Sequence, residues 1–187
     1  EDPDRTLRRM LSREVCDYYD QALASFSELQ ARTEQETIAY WSYQVERMYY
    51  TLYADFVVGY KEFEALFEQL VDDHRPGLAA LAIDFVREFR HREAFSSLLG
   101  ILLDGYYDGG VLLSRQNFEE AERLLVEGEE RLANQLERMA LNQASGFDRD
   151  LAAQRYRIYH QLGFCYRSIG NWEKAIENYE LSLDLTL

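Results

Sequence analysis

The amino-acid sequence predicts an all-α fold, in which about eight antiparallel helices form an α-α superhelix. Apolar residues recur every three or four positions along most of the chain, as on one face of a helix. Residues that end helices are rare, with 2 Pro and 10 Gly among 187 residues. No segment alternates apolar and polar residues as a half-buried strand would. Apolar residue types make up 47% of the chain, which is enough for a sizeable core.

Periodicity and helix-end signals place the first four helices. The first is long and carries an apolar stripe that recurs at helical spacing: Leu7, Leu11, Val15, Tyr18, Ala22, Phe26 and Leu29. Thr33 and Glu36 have the spacing of a capping box and open a second helix, which Gly59 is expected to break near Phe56 and Val57. A third helix follows, and Pro76 suits the first turn of a fourth helix over residues 76–90.

The second half continues the helical pattern. Its helices are predicted at about 92–114, 117–142, 149–168 and from the residue after Asn171 to the end. Gly170 follows the seventh helix directly, where a glycine commonly ends a helix in the left-handed conformation. The chain starts at Glu1 without a methionine, so we expect a piece of a longer protein whose helical array continues past residue 187.

The net charge and the cysteine content argue against several kinds of partner and cofactor. With 34 acidic and 20 basic residues the net charge is −14, which disfavours nucleic acid and anionic membranes as partners. No apolar run reaches the roughly 18 residues of a membrane span. Cys16 and Cys165 are too far apart in sequence for a metal or redox motif, and two cysteines make no disulfide scaffold. We therefore expect a cytoplasmic protein with neither a metal nor another cofactor.

The most specific motif lies near the C-terminal end. Large and small residues alternate there at fixed spacing: Tyr159, Leu162, Gly163, Tyr166, Ala175 and Tyr179. Gly163 and Ala175 are small where two antiparallel helices would cross closely, and the large residues, with Ile176, would fill the seam around that crossing. The pattern resembles the tetratricopeptide repeat. Leu187 stands where that repeat usually has a closing proline.

A weaker copy of the motif lies upstream. Gly109, Ala121 and Gly128 take its small positions, and the turn at residues 116–121 parallels the turn at 170–175. Gly109 precedes Gly163 by 54 residues, whereas a strict repeat would give 34. The expected domains are therefore an N-terminal helical bundle or degenerate repeats over 1–90 and two repeat-like pairs over 91–187.

The resemblance implies a non-enzymatic module that binds a protein or peptide, or senses a ligand, within a larger signalling or regulatory protein. Bacterial signal-transduction ATPases of the STAND class carry long helical regions that end in such repeats. Rap-type regulators are similar, with a helical bundle ahead of the repeats. The tyrosine-rich segment 49–67 resembles the STAND arrangement.

The same resemblance implies a binding groove. The first helix of each tetratricopeptide pair lines a concave surface, which on this sequence corresponds to Arg157, His160, Gln161, Phe164 and Arg167, faced by Leu103, Tyr106, Tyr107 and Gly110. A positive, partly aromatic strip in an acidic chain would suit an acidic or C-terminal peptide. The Lys and Asn residues of the chaperone-tail carboxylate clamp are missing, so chaperone binding is not expected.

Two other classes of function remain open at this stage. Asp104 and Asp108 are four residues apart on a predicted helix and could form a catalytic carboxylate pair if buried. Alternatively, the chain could be a structural scaffold whose only ligand is the next repeat. The last helix carries apolar residues that could contact such a neighbouring repeat. Its Ile176, Tyr179 and Leu183 should face the seventh helix, whereas other leucines point elsewhere and predict self-association: Leu181, Leu185 and Leu187.

Overall fold

The computed structural model describes residues 3–27, 33–91, 95–139 and 145–186. Those residues are almost entirely helical and contain no strand, so the predicted all-α class is confirmed. The chain divides into two compact units, residues 1–89 and 90–187. This division lies one residue before the boundary expected from the sequence. Leu29 and Leu187 lie outside the described residues.

The described residues of unit 1 form four helices: α1 (Pro3–Ser27), α2 (Glu34–Ala54), α3 (Phe56–Asp72) and α4 (Pro76–Arg87). A 3-10 turn (Glu88–His91) follows α4 directly. The capping box is present, because the Thr33 hydroxyl accepts from the Glu36 N–H and the Glu36 carboxylate accepts from the Thr33 N–H. Pro76 occupies the first turn of α4. Both helix starts were predicted correctly.

Helices α1 and α2 pack antiparallel, but α1 does not bury the predicted stripe. Cys16 lies beside Thr51, whereas Phe26, near the other end of α1, packs against Tyr40. Leu7 and Leu11 are each more than half exposed, as is Tyr18. The side of α1 turned to α2 carries residues such as Ser12, Cys16, Tyr19 and Leu23 instead. The period of the stripe was predicted, but the covered side of α1 is the one that packs along α2, so Leu7, Leu11 and Tyr18 stay exposed.

The break between α2 and α3 lies at Asp55, next to the predicted Phe56 and Val57, but Gly59 does not cause it. Asp55 has extended backbone, and its carboxylate caps α3 by accepting from the N–H groups of Val57 and Val58. Gly59 lies inside α3, where an added Cβ would come 2.5 Å from the backbone nitrogen of Leu52. The glycine is therefore required by the close approach of the two helices.

In unit 2 the part of the chain that the structure describes forms five helical runs: α5 (97–114), α6 (Phe118–Arg138), α7 (Gly146–Ala153), α8 (Arg155–Ser168) and α9 (Trp172–Asp184). Helix α5 is interrupted by a π-helical segment (Leu103–Tyr107) between two α-helical parts. The predicted seventh helix is two helices, α7 and α8, which separate at Gln154.

Close helix crossings explain the small residues of unit 2. Gly105 in α5 and Gly128 in α6 meet so closely that a Cβ on Gly105 would lie 2.8 Å from the Cα of Gly128. A Cβ on Gly163 of α8 would lie 2.7 Å from the ring of Tyr179 in α9, and Ala175 is buried in the same seam. Ile176 is 58% exposed, so its predicted place in this seam was wrong.

Three turns in the chain have the same backbone structure. The residues with positive φ in the described part are His74, Gln116 and Gly170, and each follows the end of a helix. After α8, the N–H of Gly170 donates to the carbonyl of Arg167, and the N–H of Asn171 donates to that of Tyr166. This is the Schellman motif.

The corresponding hydrogen bonds occur at the other two turns. They join Gln116 to Leu113, Asn117 to Leu112, His74 to Val71 and Arg75 to Leu70. Each turn then leads to a buried alanine whose N–H donates to the carbonyl that starts the next helix: Ala79, Ala121 and Ala175. Among the described residues this hairpin turn therefore occurs three times, at the two turns that the sequence shows to be parallel and once in unit 1, where the sequence shows no legible repeat.

Candidate ligand-binding face

The predicted ligand-binding residues of α8 form one stripe along that helix. Their spacing of three or four residues places them on a common face. His160, Phe164 and Arg167 are exposed, whereas Arg157 and Gln161 are half-buried. We call these five residues the α8 face. Its exposed positions carry an imidazole, an aromatic ring and a guanidinium, and Arg157 is more enclosed.

Arg157 is the most enclosed cation of the α8 face. Its Nε donates to the hydroxyl of Tyr156 at 3.2 Å, and its guanidinium lies 5.9 Å from the centre of that ring. Burial disfavours the charged guanidinium. The bond to Tyr156 and the nearby hydroxyls of Tyr106 and Tyr107 outweigh that effect, so the pKa of Arg157 is raised above its ordinary value. Arg157 therefore keeps its charge in a partly desolvated position, where an anion would be attracted more strongly than in open water.

The outer part of the α8 face combines charge with aromatic surface. The guanidinium of Arg167 lies over the ring of Phe164, 5.0 Å from its centre. His160 lies against Tyr179 of α9, with 5.5 Å between ring centres. A guanidinium held on an exposed ring is oriented toward solvent and is available to a carboxylate.

The tyrosines of α5 do not line an open surface. Tyr107 is fully buried, Tyr106 is 6% exposed, and the two rings pack edge to face with 4.7 Å between their centres. Both belong to the π segment. Their hydroxyls influence the α8 face through the charge of Arg157. Tyr107 itself is too deeply buried to contact a ligand.

Gln161 contributes a polar atom that the described part of the chain leaves unpaired. Its Oε1 is buried and accepts no hydrogen bond from any described residue. An unpaired buried amide oxygen costs about 1–3 kcal/mol, and a donor from outside would recover this only if the Gln161 side chain turned outward. Backbone N–H groups of a bound peptide are donors of the required kind.

The other side of α8 is fixed to α6 by two tyrosine–glutamate pairs. Tyr159 donates to Glu129 at 2.7 Å, and Arg155 also donates to that carboxylate. Tyr166 donates to Glu122 at 2.9 Å, and Lys174 stacks on the Tyr166 ring. Burial and the glutamates raise the pKa of both phenols, that of Tyr166 to about 12. These pairs orient α8 so that its opposite face is presented outward.

The glutamate partners were missed by the sequence analysis, although the sequence contains a signal for them. Glu122 and Glu129 are seven residues apart on α6, and so are Tyr159 and Tyr166 on α8. Residues seven apart share a face of a helix, so two such pairs can meet when the helices run antiparallel.

The acidic pair proposed as a catalytic alternative sits among arginines. The Asp104 carboxylate accepts from Arg90 at 2.7 Å, and Arg131 lies 3.6 Å from its second oxygen. Asp108 is half-buried one turn further along. The arginine contacts give Asp104 a structural role as the link between α6 and the start of unit 2.

The described residues include no group of three or more His, Cys, Asp or Glu side chains placed to hold a metal ion. Among the described helices, none is both long and apolar enough to cross a membrane. Comparison with protein-family models, with curated proteins and with solved structures gave no match. The functional assignment therefore rests on the residues of the chain itself.

Proposed function

We propose that this protein is a non-enzymatic helical-repeat module that binds an acidic peptide segment through the α8 face. The observation that carries the proposal is the arrangement of Arg157, Phe164 and Arg167 along one outward side of α8 in a chain of net charge −14. The three equivalent hairpin turns support the resemblance to tetratricopeptide repeats.

Recognition would combine three kinds of contact. Arg157 and Arg167 would pair with carboxylates of the peptide, Phe164 would pack on an apolar side chain, and the Oε1 of Gln161 would accept from a peptide N–H. Because the body of the protein is acidic, such a peptide is attracted locally and repelled elsewhere, which favours one binding site over non-specific adsorption.

The arginine contacts of Asp104 favour this binding role over the carboxylate-pair alternative. A cytoplasmic location, a bacterial origin and a place within a larger signalling protein are part of the proposal and rest on the sequence resemblance.

The test uses a fluorescently labelled peptide rich in Glu and Leu and a second peptide with Lys in place of Glu. We expect the wild-type chain to bind the acidic peptide and to lose affinity as salt rises, because exposed charges are screened within about 10 Å at 0.1 M. Arg167→Glu and Arg157→Gln should each weaken binding at least about tenfold without changing the circular dichroism spectrum.

The matched control is Arg149→Glu. Arg149 is an exposed cation of the same unit on α7, so its reversal changes the net charge equally but leaves the α8 face intact. If Arg149→Glu and Arg167→Glu lost the same affinity for the acidic peptide, the effect would come from net charge alone and not from the α8 face. Binding of the basic peptide in preference to the acidic one would reject the proposal.

A further inference from the structure

Helix α9 leaves a row of large apolar side chains open to solvent. Trp172, Ile176 and Leu183 are 63%, 58% and 63% exposed, and their spacing of four and seven residues puts them on one side of the helix. We call them the α9 stripe. The buried side of α9, with Ala175 and Ser182, faces α8. The stripe is therefore a second surface of α9, separate from its seam with α8.

Carboxylates border this stripe along the whole helix. They follow the apolar residues at neighbouring positions and are all exposed: Glu173, Glu177, Glu180 and Asp184. None of the four forms an ion pair with a residue of the described part. Two copies that paired α9 against α9 would bring these carboxylates together, which costs free energy. The α9 stripe and its carboxylates would therefore be complemented by a surface that carries both apolar and basic side chains.

The first turns of α1 have the complementary chemistry. Leu7, Met10 and Leu11 are 55%, 57% and 51% exposed. The sequence from Arg5 to Arg13 contains four arginines and no acidic residue. Arg8, Arg9 and Arg13 form no ion pair within the described residues. We call Leu7, Met10 and Leu11 with these three arginines the α1 patch. Glu14 and Asp17 follow it on α1 and mark its end.

We propose that the α1 patch of one copy docks on the α9 stripe of a second copy. The apolar side chains would bury each other, with Trp172 as the anchor at one end of the stripe, and the three arginines would pair with the carboxylates beside the stripe. Such an interface joins two different surfaces, so each bound copy still offers one free end. Association is then head to tail and continues beyond a dimer.

The test measures the mass of the 187-residue chain by sedimentation at rising concentration. We expect species larger than a dimer in the wild type and weaker association at higher salt. Leu7→Gln/Leu11→Gln removes one surface, and Ile176→Gln/Leu183→Gln removes the other. Each variant alone should be a monomer, whereas an equimolar mixture should give a dimer and nothing larger. The emission of Trp172 should shift to the blue in that mixture, since Trp41 is already buried.

Leu181→Gln is the matched control, because Leu181 is exposed on the opposite side of α9 and should leave association unchanged. Arg8→Glu/Arg9→Glu should weaken association at least tenfold, and Glu173→Arg/Glu177→Arg on the partner should restore it. A wild-type chain that stays monomeric up to about 1 mM would overturn the proposal. The partner of the α9 stripe would then be a different protein. Dimers of the Leu7→Gln/Leu11→Gln variant alone would also overturn it, in favour of α9 pairing with itself.

Discussion

Tyrosine hydroxyls paired with glutamates are a recurring contact between helices of this protein. Tyr159 and Tyr166 donate to glutamates of α6, and in unit 1 Tyr49 donates to Glu88 and Tyr19 to Glu46. In each case the ring packs in the interhelical seam while the hydroxyl reaches a carboxylate near the surface. A chain with 14 tyrosines and 34 acidic residues can repeat this contact many times.

Cys165 provides a prediction for the dependence of stability on pH. Burial and the neighbouring charge of Glu122 raise its pKa from 9.0 to about 11. The folded chain therefore holds the thiol proton more tightly than the unfolded chain does. Its contribution to stability is complete below pH 9 and is lost as pH rises toward 11, at up to about 1.4 kcal/mol per pH unit.

Denaturant unfolding of the wild type and of Cys165→Ala at several pH values measures this contribution. The wild type should lose stability between pH 9 and pH 11 more steeply than the variant. Equal slopes would mean that the thiol ionises with similar ease in the folded and unfolded chains.

Gly163 provides a prediction about packing between α8 and α9. A Cβ at this position would lie 2.7 Å from the Tyr179 ring, so Gly163→Leu must push the helices or the ring aside. We expect a loss of about 1–3 kcal/mol in the free energy of unfolding. Gly77→Ala is the control, since a Cβ there meets nothing within 4 Å and should be neutral or stabilising. A thermal melt of Gly163→Leu that matches the wild type would show that the crossing is loose.

Among the structural elements, the repeated unit is a helical hairpin closed by a Schellman turn. Its left-handed residue is Gly170 in one copy, but His74 and Gln116 in the others. Only glycine takes this conformation without steric cost, because other side chains crowd the following carbonyl by about 1–2 kcal/mol. Two of the three turns therefore contain a residue that is not the most stable choice.

Replacing the glycine at one turn and introducing glycine at the other two should change the stability of the fold in opposite directions. Gly170→Ala should destabilise the chain by about 1 kcal/mol, whereas His74→Gly and Gln116→Gly should stabilise it by up to about that amount. Denaturant midpoints of the three variants, measured side by side, check the pattern. Destabilisation by His74→Gly or Gln116→Gly would indicate that the imidazole or amide contributes contacts that exceed the backbone strain.

For the whole molecule, the net charge of −14 predicts that salt stabilises the fold. The ion pairs of the described residues are mostly exposed, so each contributes little, and screening them costs little. Repulsion among the excess carboxylates is screened at the same time, as the Debye length falls from about 30 Å at 0.01 M to about 8 Å at 0.15 M salt. We expect the melting temperature to rise over this range.

The double variant Glu130→Gln/Glu137→Gln removes exposed negative charge from α6, and its melting temperature should rise less with salt than that of the wild type. Its melting temperature at low salt should be higher for the same reason. A fall of the wild-type melting temperature with added salt would mean that the ion pairs outweigh the repulsion.

The sequence by itself determined the helical class, the start of α2 at its capping box, the start of α4 at Pro76 and the turn at Gly170. These features depend on residues close together in the chain, whose hydrogen bonds and steric limits are local. The small residues Gly163 and Ala175 were readable for the same reason, because both lie in the seam of one hairpin.

Only the tertiary structure decided which side of each helix is covered. A stripe such as Leu7, Leu11 and Tyr18 has the same period whether it is buried or open, and α1 leaves it open because its neighbour packs on another side. The hairpin turn at His74 was hidden because histidine, unlike glycine, does not signal a left-handed residue. Tyr107 was expected at the surface and is fully buried beneath α8, since burial is set by packing between helices distant in sequence.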